Sequence, residues 1–85
     1  MFIFNMQILY VYDFRYNTER KRFNRNKRMF YYYLNQQFRN AVRWKTRSVF
    51  LLDAKHEKEM DRLFDRFHTY LIVYKSTVRQ MRRVH

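Results

Sequence analysis

Positively charged side chains are the residues of this sequence whose type and spacing point most directly to chemistry. The 85-residue chain carries 19 Lys and Arg against 7 Asp and Glu, a formal net charge of +12. Arg outnumbers Lys 13 to 6, and its planar guanidinium suits bidentate contacts to phosphate. With a sequence pI of about 10.5, this balance favours a polyanionic partner, and we expect a nucleic acid.

The positive charge is concentrated in one part of the chain. Residues 14–52 carry eleven basic residues and one acidic residue, Glu19, whereas residues 53–67 carry four basic and five acidic ones. Such segregation favours a dedicated cationic surface over a mixed surface that serves only solubility. The candidate phosphate-binding residues are Arg20, Lys21, Arg25, Arg28, Arg43, Lys45 and Arg47.

Aromatic side chains lie among these cations and make up 21% of the chain, which separates it from disordered basic tails. Tyr32 projects from the cationic side of a predicted helix and is a candidate for stacking on an exposed base. Trp44 could stack in the same way. It shares a predicted strand face with Phe50 and Leu52, however, and this favours a position in the core.

Acidic residues are scarce, which restricts the kinds of enzyme that this sequence could encode. The absence of Gly and Cys excludes phosphate-binding loops, dinucleotide-binding fingerprints, thiolate zinc sites and cysteine nucleophiles. Asp13 ends the first predicted strand, a position where α/β active sites are found. One carboxylate is a poor metal site, but two Asp13 side chains across a dimer axis could hold Mg²⁺. The alternative is structural, with Asp13 capping the next turn or pairing with Arg15.

The remaining polar candidates favour structural interpretations. Asp61 and Asp65 are four residues apart on a predicted helix, but Arg62 and Arg66 flank them, which indicates solvated ion pairs. The three His residues are widely spaced and show no metal-ligand pattern. We therefore expect a binding protein rather than an enzyme, with no required cofactor.

Hydrophobic periodicity predicts the elements that position these side chains. Residues 6–13 are apolar on both sides, as in a strand at the centre of a sheet. A helix follows over about residues 19–38, with Asn17 or Thr18 as its cap and an apolar face made by Phe23, Phe30 and Leu34. Residues 42–52 are extended and long enough to form two strands.

A second helix and a last strand complete the pattern. Asp53 is a good N-cap for a helix over residues 54–68, whose apolar positions are Met60, Leu63, Phe64 and Phe67. Residues 69–75 are rich in β-branched and aromatic side chains and predict a strand. Residues 76–85 form either a helix capped at Ser76 or a basic tail.

The element order β-α-β-β-α-β predicts an α+β, ferredoxin-like sandwich with an antiparallel sheet and two helices on one face. We expect one domain over residues 1–75. The apolar stretch over residues 1–12 is too short for a membrane-spanning helix, which needs ~20 residues, and lacks the features of a signal peptide. We therefore expect a cytoplasmic protein that does not associate with membranes.

Several short motifs resemble a known family. Tyr12-Asp13 ending the first strand, residues 17–23 opening a helix, and Ser48-Val49-Phe50 before the second helix resemble the small CRISPR-associated spacer-acquisition subunit. The resemblance covers roughly residues 6–74. It implies a ferredoxin-like fold and a symmetric dimer within a larger nucleoprotein complex on duplex DNA. Some members are metal-dependent nucleases, and by resemblance Asp13 would face its dimer mate and bind the metal.

The sequence also departs from that family. The spacing from Asp13 to Ser48 is longer than in the family pattern, and the usual glycine after the first helix is missing. These departures favour a stand-alone relative, for instance from a virus or mobile element. We expect a small dimeric protein that contacts the backbone of duplex DNA, or of duplex RNA, without reading its sequence. The alternatives are an Mg²⁺-dependent endonuclease built on Asp13 and an adaptor that binds an acidic protein.

Overall fold

A computed structural model describes residues 6–15, 19–79 and 84 of the chain. Its elements are β1 (Gln7–Phe14), α1 (Arg20–Phe38), β2 (Arg43–Thr46), β3 (Val49–Asp53), a 3₁₀ turn (Ala54–His56), α2 (Glu57–Arg66) and β4 (Leu71–Val78). The strands form one antiparallel sheet in the order β2-β3-β1-β4. This is the ferredoxin-like layout, so the predicted fold class is confirmed.

Strand β1 lies at the centre of the sheet, paired with β3 on one side and β4 on the other. Its alternating side chains divide between the two faces. Ile8, Tyr10 and Tyr12 are buried and join the core under the helices, whereas Val11 and Asp13 are exposed on the opposite, open face. Within the described residues, the helices therefore cover only one face of a strand that is apolar on both sides.

Helix α1 forms where the periodicity predicts it, and its predicted caps, Asn17 and Thr18, lie outside the described residues. Phe23 is only partly buried, and the helix ends before Ala41, which packs against the core from the following turn. The apolar stripe that anchors α1 to the sheet is shorter than the helix itself. It consists of Phe30, Leu34 and Phe38.

The extended segment over residues 42–52 is a hairpin, in which β2 and β3 are separated by a turn at Arg47 and Ser48. A bulge between Trp44 and Thr46 shifts the register. Arg43 and Lys45 lie on β2 as predicted, but the prediction that Arg47 extends their row is wrong, because the strand ends at Thr46.

The prediction that Trp44 lies in the core is only partly confirmed. Its ring packs edge-on against Phe50, with centroids 5.2 Å apart, yet 44% of the residue stays exposed. Trp44 lies on the edge strand, where no further strand can cover it.

Helix α2 confirms the second predicted helix. The Asp53 carboxylate accepts a hydrogen bond from the Lys55 backbone N–H at 3.0 Å and so caps the 3₁₀ turn that leads into the helix. The α-helical part is shorter than predicted, ending at Arg66. All four predicted apolar positions are buried: Met60, Leu63, Phe64 and Phe67.

Strand β4 is longer than predicted and continues through Ser76 and Thr77 to Val78. The predicted helix capped at Ser76 is therefore wrong, because Ser76 pairs with Leu9 inside the sheet. Residues 80–83 and 85, which belong to the expected basic tail, lie outside the described residues. In the part of the chain that the structure describes, no helix has both the length and the apolarity needed to cross a membrane.

Candidate nucleic-acid interface

The outer side of α1 carries a continuous polar stripe. At about 100° per residue, its members fall within about 100° of the helix circumference, opposite the buried residues. The stripe is about 27 Å long at a rise of about 1.5 Å per residue. All of its members are exposed: Lys21, Arg25, Arg28, Tyr32, Asn35, Gln36 and Arg39.

The cations of this stripe have no acidic counterparts nearby. No Asp or Glu occurs between Glu19 and Asp53. Glu19 lies 3.6 Å from Arg22, but both side chains are about 60% exposed, so this pair contributes little. Within the described part of the chain, the predicted phosphate-binding residues of α1 form no ion pair: Arg20, Lys21, Arg25 and Arg28.

Tyr32 lies in the middle of the stripe with 57% of its surface exposed. Its hydroxyl accepts a hydrogen bond from Gln36 Nε2 at 2.8 Å, and its ring meets the Tyr33 ring edge-on at 5.4 Å. These contacts orient the ring while leaving it accessible. The predicted position of Tyr32 among the cations is therefore confirmed, and base stacking stays a prediction.

The basic residues of the hairpin are only partly brought to the same place. The Tyr12 hydroxyl donates to the Arg47 carbonyl at 3.2 Å and lies 3.0 Å from the Tyr31 hydroxyl, which ties the β2–β3 turn to α1. Arg43 pairs with Leu51 and alternates with Trp44, so it lies on the open side of the sheet. The predicted single cationic surface is thus divided between α1 and the edge strand.

Asp13 is exposed on the open face, opposite Ile72 of β4. Among the described residues it has no ion pair, so the alternative of a pairing with Arg15 is wrong, and the turn that it could cap includes residues 16–18, which lie outside the described residues. No group of three His, Cys, Asp or Glu within those residues could hold a metal ion. The Mg²⁺ site shared by two Asp13 side chains needs a second chain and stays a prediction.

A cluster that the sequence did not reveal joins β1, α2 and β4. Lys75 Nζ contacts Glu57 Oε2 at 2.7 Å and also Asp61 Oδ2, and the Tyr10 hydroxyl donates to Asp61 Oδ1 at 2.8 Å. The predicted pairing of Asp61 with arginines of its own helix is therefore wrong. One of those arginines, Arg66, instead lies over the Tyr33 ring, 4.4 Å from its centroid.

This cluster fastens α2 to the sheet. Lys75 occupies an inward position of β4, in line with Val73 and Leu71, and a cation there requires a carboxylate on the helix above it. The inward position of Lys75, two residues after Val73, is the sequence feature from which the cluster could have been predicted. Because both carboxylates already contact Lys75, the arrangement fits a structural role better than a catalytic one.

Stability is expected to fall as the pH rises above about 10. Burial, followed by the hydrogen bond to Asp61, raises the pKa of Tyr10 above its ordinary value of 10.0, and burial raises the pKa of Tyr12 in the same way. Hydrogen bonds to Asp61 and Glu57 raise the pKa of Lys75 above 10.5. The unfolded chain therefore loses these protons first. Their contribution is complete below the ordinary pKa values and is lost as the pH rises towards the folded ones.

Urea denaturation from about pH 8 to about pH 11 measures this fall. Tyr10→Phe and Tyr12→Phe remove the ionisable hydroxyls, so each should flatten the alkaline part of the profile. A wild-type midpoint that stays constant to about pH 11 would contradict the assignment.

The arrangement as a whole is a small sandwich whose first helix displays exposed cations, four of them without an ion pair among the described residues, and one oriented aromatic ring. Glu57 and Asp61 contact Lys75, and Asp13 has no ion pair among the described residues. These features are those of a surface that attracts polyanions. The chain matches no protein-family model, no curated protein and no solved structure.

Proposed function

We propose that the protein binds duplex DNA through its phosphate backbone, with α1 as the main contact surface. One observation carries the proposal: four exposed cations of α1 have no ion pair within the described residues, and no acidic residue separates them. Each cation that meets a phosphate releases condensed counterions, which favours binding. Phosphate contacts of this kind position a protein on the duplex without reading sequence.

A homodimer belongs to the proposal. On the open face, Val11 of β1 lies opposite Tyr74 of β4, and the neighbouring Ile72 is exposed as well. These apolar side chains are on the face opposite α1, so two chains could meet there with their cationic helices turned outwards. The resemblance to the spacer-acquisition subunit is consistent with such a pair and stays a proposal, as does assembly into a larger nucleoprotein complex.

Fluorescence anisotropy with a labelled DNA duplex of about 25 base pairs, across a salt series with Mg²⁺ present, tests the function. If the four α1 cations each meet one phosphate, log affinity should fall against log salt with a slope of about −3.6 per chain. Between about 50 and 200 mM salt, this weakens binding about 150-fold. Light scattering on the same sample gives the number of protein chains bound to each duplex.

Two controls accompany this measurement. Asp13→Asn should keep the affinity or raise it slightly, because it removes a negative charge and Asp13 lies on the open face away from α1. The label is checked on a gel afterwards, and its cleavage by the wild type but not by Asp13→Asn would replace the proposal with the nuclease. Absence of duplex binding even at about 50 mM salt would refute it and favour the acidic-protein adaptor.

A further inference from the structure

The two halves of α1 differ in how they are packed. Three residues are buried between residues 30 and 38, whereas none is buried between residues 20 and 29. Among the described residues, none of the fully buried core positions lies in this first half. Phe23 contacts the chain at the rim of the core, 6.1 Å from Phe14 and 6.4 Å from Tyr70 between ring centroids. Residues 20–29 are called the projecting half of α1 below.

Cations surround the projecting half rather than lining one side of it. At about 100° per residue, its six cations spread over about 220° of the helix circumference. One flank carries Arg20 and Lys27, and the opposite flank carries Arg22 and Arg25, with the remaining two cations between them. The full set is Arg20, Lys21, Arg22, Arg25, Lys27 and Arg28, and all six are exposed.

Local contacts keep the two flanks apart. Lys27 Nζ lies over the Phe14 ring, 5.2 Å from its centroid, and this holds the side chain on the flank nearer the sheet. Arg22 leans towards Glu19 at 3.6 Å on the opposite flank. A helix that lay on a flat row of phosphates would use only one of these flanks.

A groove with phosphates on both walls fits this distribution. The major groove of B-form DNA is about 12 Å wide, and an α-helix with its side chains is about 10–12 Å across. The projecting half is about 15 Å long at a rise of about 1.5 Å per residue. The minor groove, at about 6 Å, is too narrow for a helix, and the major groove of A-form RNA is too narrow and deep.

We propose that the projecting half of α1 enters the major groove of B-form DNA and contacts the phosphates of both strands. The inference rests on the proposed function and narrows it, because it names the kind of duplex and the groove. The other half of α1 is packed on the core, and Phe23 and Lys27 hold the projecting half against Phe14 at the rim of the core.

Three duplexes of one sequence test the groove. They are DNA, DNA whose cytosines carry glucosylated 5-hydroxymethyl groups that fill the major groove, and RNA. Affinity for the last two should be at least about tenfold lower than for plain DNA, and the minor-groove ligand netropsin should not compete. Equal affinity for all three duplexes, or competition by netropsin, overturns the inference but leaves the proposed function standing. If no duplex is bound, both fail.

Single substitutions test the contact on both walls. Arg20 and Arg25 are both exposed, form no ion pair among the described residues, and lie about 140° apart around the helix. Arg20→Gln and Arg25→Gln should each reduce the salt slope by about 0.9. Lys58→Gln, at an exposed position of α2 outside the proposed interface, is the control and should leave the slope unchanged. A change for only one of Arg20 and Arg25 indicates docking on one side of the helix and overturns the inference.

Discussion

Phe30→Ala is expected to lower the free energy of unfolding by about 3–5 kcal/mol. Phe30 is 0% exposed and lies at the centre of the aromatic core. The centroid of its ring is 5.3 Å from the rings of Tyr31 and Phe64 and 5.7 Å from the ring of Tyr12. Truncation removes these contacts and leaves a cavity that three elements border.

A loss of this size is comparable to the whole stability of a chain this small, which is about 5–10 kcal/mol. Urea denaturation measures it, and fluorescence of Trp44 is a suitable probe because its ring packs on Phe50. Met29→Ala is the matched control, since Met29 is the neighbouring residue of α1 and is exposed. It should cost less than about 0.5 kcal/mol. A loss below about 1 kcal/mol for Phe30→Ala would mean that the core closes around the missing ring.

The helices and the fold class were predictable because their signals are local. The buried positions of α2 recur at helical spacing, and Asp53 caps the turn that precedes the helix. The sheet order then followed from the element order, since short connections and right-handed crossovers leave few alternatives. The apolar side chains on both sides of β1 likewise predicted a central strand.

The features that the sequence did not predict depend on long-range contacts or on unusual turn chemistry. Lys75 and Asp61 are 14 residues apart and meet only after α2 folds onto β4. The β2–β3 turn could not be placed because the chain has no Gly. The turn instead uses the Thr46 hydroxyl, which accepts a hydrogen bond from the Ser48 backbone N–H at 3.3 Å, and none of the described residues has a positive φ.

Only the α1 part of the cationic surface could be predicted from the sequence, because helical spacing is a local signal and the shape of the hairpin is not. Helical spacing places most of the α1 cations on the outer side of the helix wherever the helix packs, whereas Arg20 and Lys27 fall on the flank nearer the sheet. The row of hairpin cations depended on an uninterrupted strand, and the turn at Arg47 breaks it. The sequence also does not indicate that the buried positions of α1 lie only in its second half, at Phe30, Leu34 and Phe38.

Removal of two cations from α1 is expected to have the largest effect on DNA binding. Each phosphate contact contributes about 0.9 to the slope of log affinity against log salt. The double variant Arg25→Gln/Arg28→Gln should therefore reduce the slope by about 1.8 and weaken binding about 30-fold at about 0.15 M salt. Both residues are exposed and have no ion pair among the described residues, so the fold should be unaffected.

The double variant Lys58→Gln/Arg62→Gln on α2 is the matched control. It removes the same net charge from two exposed helical positions, but acidic residues lie on both sides of Lys58 and before Arg62. If binding depends on local phosphate contacts, this variant should keep the wild-type slope and lose less than about threefold in affinity at about 0.15 M salt. If both variants lost the same affinity, only the net charge of +12 would attract DNA. Helix α1 would then not be the contact surface. Anisotropy titrations of both variants across the same salt series distinguish these outcomes, because net charge alone cannot make the slope depend on which helix loses its cations.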